Sequence, residues 1–447
     1  MAGGKKSAML RAMCRLVALV VALATGAIAC NHSKSSSSMN WPALDDKLLA
    51  QAAATFNFRL GNPVPLAITR DGAVLFRRTP PREFASDLYE LAPDGTVRTL
   101  AKVAELLGGD EHLSDAEQAR RERTRTATKG IVDVDVSDDG TRVLFALGGV
   151  LHVLDRTTAA LVKVDAGDAY DPHLAPDGGA IAFVRDGNLF VYTLATKALK
   201  QITEHPEGLE YGVADFAAQE ELGRQRGFWW SPDSRHLVFQ RSDARKVDTI
   251  YVANPRHPEK APVQFKYPRA GTPNAIVDLG VVAATGGSPR WLTWDLAKYV
   301  YLVAVDWDKL GGLTAVVIDR EQTDGAMLAF DPATGTARTL VTEHDDAWLN
   351  FDAGRPRWLE DGSGFLWMTE SRGAWTVELR RPDGTLVRPL TTPELGLRDL
   401  IGVDATGAIV NASTEPTRQD VWRIPFVGGA PVRLSDGDGD AAGTAKH

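Results

Sequence analysis

Residues 213–239 read VADFAAQEELGRQRGFWWSPDSRHLVF, and two adjacent carboxylates, Glu220 and Glu221, stand just ahead of Phe228, Trp229 and Trp230. Paired carboxylates held near an apolar wall attract a cation more strongly than they would in water, because the local dielectric is lower. The chemistry on offer is therefore the grip of a positively charged ligand end. The plainer reading is a solvated acidic helix turn, with the three aromatics packed in a sheet core. Elsewhere the familiar catalytic patterns are missing. There is no Gly-x-Ser-x-Gly, since the stretch Gly286 to Arg290 lacks the final glycine, and no His-Glu-x-x-His, phosphate loop or Cys/His cluster. The nine histidines are scattered, and His173 and His236 read as turn or strand surface residues. Asp436 to Asp440 resembles the start of a calcium loop but lacks the later bidentate Glu. No metal and no cofactor is expected.

The acid pair must be positioned by something, and the chain supplies a recurring unit. A turn with Asp-Gly or Pro-Asp is followed by an apolar strand at residues 69–76, 137–145, 175–183, 231–239 and 359–367. Asp-Gly favours tight hairpin turns, and Val/Ile/Phe runs favour strands. A second strand often follows with the pattern Leu-x-Val, as at Leu151 to Leu154, Leu189 to Tyr192 and Ile250 to Val252. The turn Asp recurs at 139, 177 and 233. The first step is close to the roughly 40–50 residues of a four-stranded propeller blade; the second is a blade plus an insertion. That insertion holds Glu220 and Glu221, and insertions in a radial array map to one face, usually the binding face. Long helical patterns are few, mainly Ala43–Thr55 and Ser114–Thr128, the second opening with the capping box Ser114 to Glu117. The expected fold is all-β: a β-propeller over 41–435, of seven to eight four-stranded blades with room for the last to be incomplete. It carries short helical insertions and is followed by a disordered tail over 436–447.

The composition, 44% hydrophobic and 24% charged, is that of an ordinary globular protein, and the net charge is −8. The first 29 residues carry four of the basic residues and no acid, so their removal makes the chain more acidic still. A nucleic-acid partner would need a basic face, so none is expected. Residues 1–29 read as a signal peptide, with an apolar run Leu16 to Leu23 too short to span a bilayer. The run ends in Ala27-Ile28-Ala29-Cys30. This is either an ordinary cleavage site or a lipobox with Cys30 as the acylated first residue. The lipobox is preferred because a Ser-rich tether follows at 30–40 and the only other cysteine is Cys14, inside the leader. The expected location is the cell envelope, with a lipid anchor to the outer membrane; free secretion or a periplasmic location is the alternative. No internal disulfide is possible in the processed chain.

Residues 211–222, YGVADFAAQEEL, followed by Gly227 to Asp233, closely resemble the signature of the dipeptidyl peptidase IV group of the prolyl oligopeptidase family. The Gln before the acid pair is most similar to the dipeptidyl peptidase VIII and IX branch and its bacterial relatives. Lys266 to Asn274 with Val277 to Gly280, Arg320 to Gln322, and Glu343 to Asn350 with Trp348 resemble further motifs, and Arg121 to Arg125 resembles the branch's arginine-rich segment. The resemblance covers nearly all of 41–435. It implies a serine peptidase that removes N-terminal Xaa-Pro or Xaa-Ala dipeptides. In it, Glu220 and Glu221 would hold the substrate's free α-ammonium, and Arg125 or Arg123 would orient a substrate carbonyl. The family's α/β-hydrolase domain, which carries Ser, Asp and His, is not recognisable before His447, so no catalytic residue is assigned here. The chain is expected to dock peptide N-termini and to be inactive alone, with a separately encoded hydrolase as a possible partner and oligomers open. The alternative is a non-catalytic propeller lipoprotein that binds peptides or envelope partners.

Overall fold

The protein is described by a computed structural model over residues 46–351, 356–437 and 439–443. The expected signal peptide, the expected lipid site Cys30 and the expected tether lie outside the described residues. The chain divides into two compact units, residues 1–54 and 55–447. The described part of the first is helix α1 (Asp46–Ala54), none of whose residues is buried.

The second unit is a β-propeller. Seven antiparallel sheets follow one another along the chain over residues 64–101, 135–164, 170–201, 209–291, 301–344, 357–389 and 397–433, each built on strands paired in sequence order. We number these blades 1 to 7. The last has four strands and is not cut short.

Local chemistry explains each blade. In blade 2 the strands Arg142–Leu147 and Val150–Asp155 pair from Arg142↔Asp155 to Leu147↔Val150. That register leaves Gly148 and Gly149 as a two-residue turn, with φ of 58° and 76°, the conformation such hairpins demand. The recurring Asp works through its side chain. Ser137 Oγ donates to Asp139 Oδ1 at 2.6 Å, and Ser231 Oγ to Asp233 Oδ1 at 2.5 Å. Thr69 and Asp71 pair in the same way. The residue after the Asp in these turns has positive φ, supplied by Gly72, Gly140 and Gly178, and by Ser234 where the repeat departs.

Six apolar clusters lie between successive blades, so the sheets of blades 2 to 6 bury both faces in them. That is why the strands read as apolar runs as well as alternations. Phe145, Phe183, Phe239 and Phe365 are among the largest fully buried side chains, each from the second strand of its blade.

Three expectations need adjustment. Ile250 to Val252 is not a blade strand. It belongs to a hairpin (Thr249–Val252 with Val263–Lys266) outside blade 4, whose next strand is Ile276–Ala283. The 114–128 helix stops at Arg123, because Arg125 sits at φ 52° in the left-handed region and cannot continue it. The tail expected to be disordered instead runs against blade 7 over its described end: Asp440 bridges Gln419, and Ala441 N–H donates to Gln419 O at 2.9 Å.

Candidate functional site

The acid pair rises from a strand split in two. Blade 4 opens with Leu209–Tyr211, which pairs with Arg241–Asp243, and resumes with Phe228–Trp230, which pairs with Leu237–Phe239. Gln240 faces the gap, its carbonyl accepting from Gly212 N–H and its N–H donating to Gly227 O, both at 2.8 Å. The chain between leaves and returns through that gap, with a bridge between Val213 and Arg226 at its neck. Only glycine fits at 227, where a Cβ would stand 2.2 Å from Gly212 O.

Three α-helices follow α1 among the described residues: α2 (Val103–Leu106) and α3 (Asp115–Arg123) lie between blades 1 and 2, and α4 (Phe216–Glu220) lies in the blade 4 insertion. Helix α4 is too short to stand by itself, and a buried polar network holds it. Asp215 caps it, accepting from Ala218 N–H at 3.4 Å, and also accepts from Gln240 Nε2 at 3.1 Å. Arg224, buried at the far end, donates to Gln240 Oε1 at 2.6 Å, to Arg226 O at 2.7 Å and to Leu302 O of blade 5 at 3.1 Å. Burial brings the Arg224 guanidinium down to about 10, with Asp215, 3.7 Å away, opposing. On its outer side Phe216 meets Phe265 and Tyr267, with ring centroids 6.1 and 5.1 Å away.

Glu220 and Glu221 end this helix, and both are exposed. The structure brings Arg123 to them from 97 residues away in sequence. Arg123 Nε donates to Glu220 Oε1 at 2.8 Å and Arg123 Nη1 to Gln219 Oε1 at 2.8 Å. Arg125 is not at the acid pair. It lines a separate depression with Phe56, Arg59 and Arg77. The Glu221 carboxylate has no hydrogen bond or ion pair among the described residues.

Helix α3, which carries Arg123, is itself anchored. Ser114 Oγ accepts from Glu117 N–H at 3.3 Å, as the capping box predicts. The Glu117 carboxylate does not complete the box but takes Arg120 and Arg121 at 2.7 and 2.9 Å. Arg121, largely buried, also pairs with Glu111 at 2.9 Å, and Glu111 accepts from Gly130 N–H at 2.9 Å.

The aromatic triplet does not wall a pocket beside the acids. Phe228 and Trp230 point into the cluster shared with blade 3, and Trp229 into the one shared with blade 5. Alternation along a strand sends neighbours to opposite faces, and here both faces are core. His173 is not a surface residue. Its side chain is 18% exposed and lies between Asp171, 3.0 Å from Nε2, and Asp135, 3.5 Å from Nδ1. Burial and Arg226 push His173 down, but the two carboxylates outweigh them and its pKa is raised. Burial pushes both carboxyls up, yet His173 outweighs it and each lies below its usual range. The spacings Asp133-x-Asp135 and Asp171-Pro-His173 were the signal available in the sequence, but they acquire meaning only when blades 2 and 3 are adjacent. His236 is exposed, as expected.

The family model for the dipeptidyl peptidase IV (DPP IV) N-terminal region matches residues 113–446. The chain is similar to dipeptidyl peptidase 8 of Mus musculus, 27% identical over 278 residues, which are 52% of this chain and 30% of that protein. It is also similar to a probable dipeptidyl peptidase 4 of Aspergillus fumigatus, 31% identical over 206 residues, 42% of this chain and 26% of that one. Among solved structures, Porphyromonas gingivalis dipeptidyl peptidase 4 matches 88% of this chain and 56% of its own, with a TM-score of 0.70 and 21% identity. The chain thus spans less than a third of the length of these curated relatives.

Proposed function

The chain belongs to the dipeptidyl peptidase IV N-terminal region family, and from that premise we propose that it is the substrate-docking and gating propeller of a dipeptidyl-peptidase-IV-like serine peptidase. The observation that carries the reading is the meeting of Arg123 with Glu220 at the end of a braced helix, beside a Glu221 carboxylate that is still unpaired. A peptide α-ammonium titrates near pH 7.7–8.0 and is mostly cationic at pH 7. It has three N–H donors. Glu220 keeps one oxygen free of Arg123, and Glu221 keeps both, so the pair can accept all three. Arg123 then stands where its guanidinium can turn from Gln219 to the first carbonyl of the same peptide. A chain end with a free amine satisfies this arrangement; an acylated end does not.

In this reading the nucleophile, its base and its oxyanion donors come from an α/β-hydrolase domain, and the dipeptide removed is Xaa-Pro or Xaa-Ala. Cys30 carries the lipid, and the propeller works at the cell envelope. Calorimetric or NMR titration with Xaa-Pro peptides and their N-acetylated forms tests the docking role. The free amine should bind the more tightly. Equal binding of the two forms would leave the acid pair a solvated helix end.

A further inference from the structure

A second concave site lies beside α3. It is a cavity of about 110 Å³ bounded by α3, the strand ends of blade 2 and the loop that enters blade 3. Leu144, Leu147 and Leu151 form an apolar floor, each about 1% exposed. A dry cavity of roughly 150 Å³ holds benzene, so this one suits a ring or branched chain of about five carbons.

Its polar groups leave a distinct kind of capacity unused. Asp133 accepts one hydrogen bond, from Val134 N–H at 2.9 Å, and has no ion-pair partner among the described residues. Asp171 gives Oδ1 to His173, and its Oδ2 is buried with no partner. The cations of the same wall are already engaged. Arg120 is held at both Nε and Nη2 by Glu117, and Arg121 by Glu111 and Glu117. What remains open to a ligand is therefore anionic acceptor capacity above an apolar floor. Asp133 is exposed by surface area, yet desolvation by the surrounding walls holds its carboxyl above the usual range, against Val134 N–H, Arg120 and His173. Among the described residues no three His, Cys, Asp or Glu are grouped to hold a metal ion, and the apolar floor favours a cation that carries an apolar body. Exposed Asp168 stands at the rim, where the cavity adjoins a shallower depression past Gly148 and Gly149.

We propose that this cavity is a binding site for a small organic ammonium ion with a compact apolar body, whose N–H protons go to Asp133 and to Asp171 Oδ2. The site does not depend on the docking role of Glu220 and Glu221.

The test is calorimetric titration of the full chain with cyclopentylamine and with cyclopentanol, its neutral counterpart. The amine should bind at least tenfold more tightly, the lower end of what a charge-assisted hydrogen bond contributes. Asp133→Asn should weaken the amine by about tenfold or more, and Ala146→Leu, which fills the cavity from its wall, should abolish binding. Should Asp133→Asn fail to fold, Asp171→Asn is read in its place. The variant with Glu220→Gln and Glu221→Gln should bind the amine as the parent does. Absence of amine binding, amine and alcohol bound alike, retention in Asp133→Asn, or loss in the Glu220/Glu221 variant would each overturn the proposal.

Discussion

Glu220 and Glu221 differ in what they have left to give. Glu220 is already half engaged by Arg123, whereas Glu221 is not. The Glu220 side chain is 36% exposed, so solvent screens its pair. Replacing both acids by Gln is therefore expected to weaken binding of a free-amine peptide by about tenfold, near the lower limit for a charge-assisted contact. Binding of the N-acetylated peptide should not change, and calorimetry with both peptides reads the difference. His173 gives a pH prediction. Its folded pKa is raised above the ordinary 6.5. The stability it contributes is then fully present below about pH 6.5 and is lost as pH rises through the higher folded value. Asp135 and Asp171 are lowered, so their share is present above the usual carboxyl range and lost on acidification. The expected outcome is a stability plateau between roughly pH 4 and 6.5 that declines on the alkaline side in the parent but not in His173→Gln. Denaturant unfolding at a series of pH values measures it; an unchanged alkaline decline in the variant would count against it.

At the scale of the element, the split strand of blade 4 makes the site possible. A propeller strand has no room for an acidic helix, so the chain leaves at Gly212 and re-enters at Gly227 while Gln240 keeps the backbone bonds on both sides. Gly227→Ala places a Cβ 2.2 Å from Gly212 O and must spread the neck of the insertion. We expect a loss of about 1–3 kcal/mol, typical of overpacking, together with weakened free-amine peptide binding. Gly223→Ala is the control. Its φ is 66° but nothing lies within 4 Å of the new Cβ, so only the left-handed backbone cost of about 1 kcal/mol applies. Thermal unfolding and peptide titration of the two variants separate closure of the neck from general strain; equal effects would mean that the neck does not position α4.

At the scale of the molecule, stability comes from the apolar clusters between successive blades. The only cysteines are Cys14 and Cys30, and neither lies in the blades. The proposed lipid site implies that Cys30→Ser releases the protein from the membrane fraction, which fractionation and intact-mass measurement of the N-terminus would check. An unmodified N-terminus in the parent would exclude acylation. The 447-residue chain has no Gly-x-Ser-x-Gly sequence. In the proposed reading the nucleophile comes from an α/β-hydrolase domain, so these 447 residues by themselves are expected not to turn over dipeptidyl-proline substrates. Turnover blocked by a serine-directed inhibitor in a pure sample would refute this.

The propeller was legible because its signals are local. Asp-Gly turns and apolar runs at blade spacing are short-range choices, and each is made within a few residues. The place of Glu220 and Glu221 in a blade insertion and the Ser114 cap were legible for the same reason. Whether Arg123 or Arg125 meets the acids was not legible, because both fit the motif. The left-handed turn at Arg125 ends α3, and the placing of that helix against α4 leaves Arg123 beside Glu220 and Arg125 elsewhere. The split of the blade 4 strand, the hairpin that carries Ile250, and the burial of His173 between Asp135 and Asp171 were likewise decided only in three dimensions. Each depends on residues tens of positions apart being packed together, and no local preference encodes which of the compatible partners the fold will bring near.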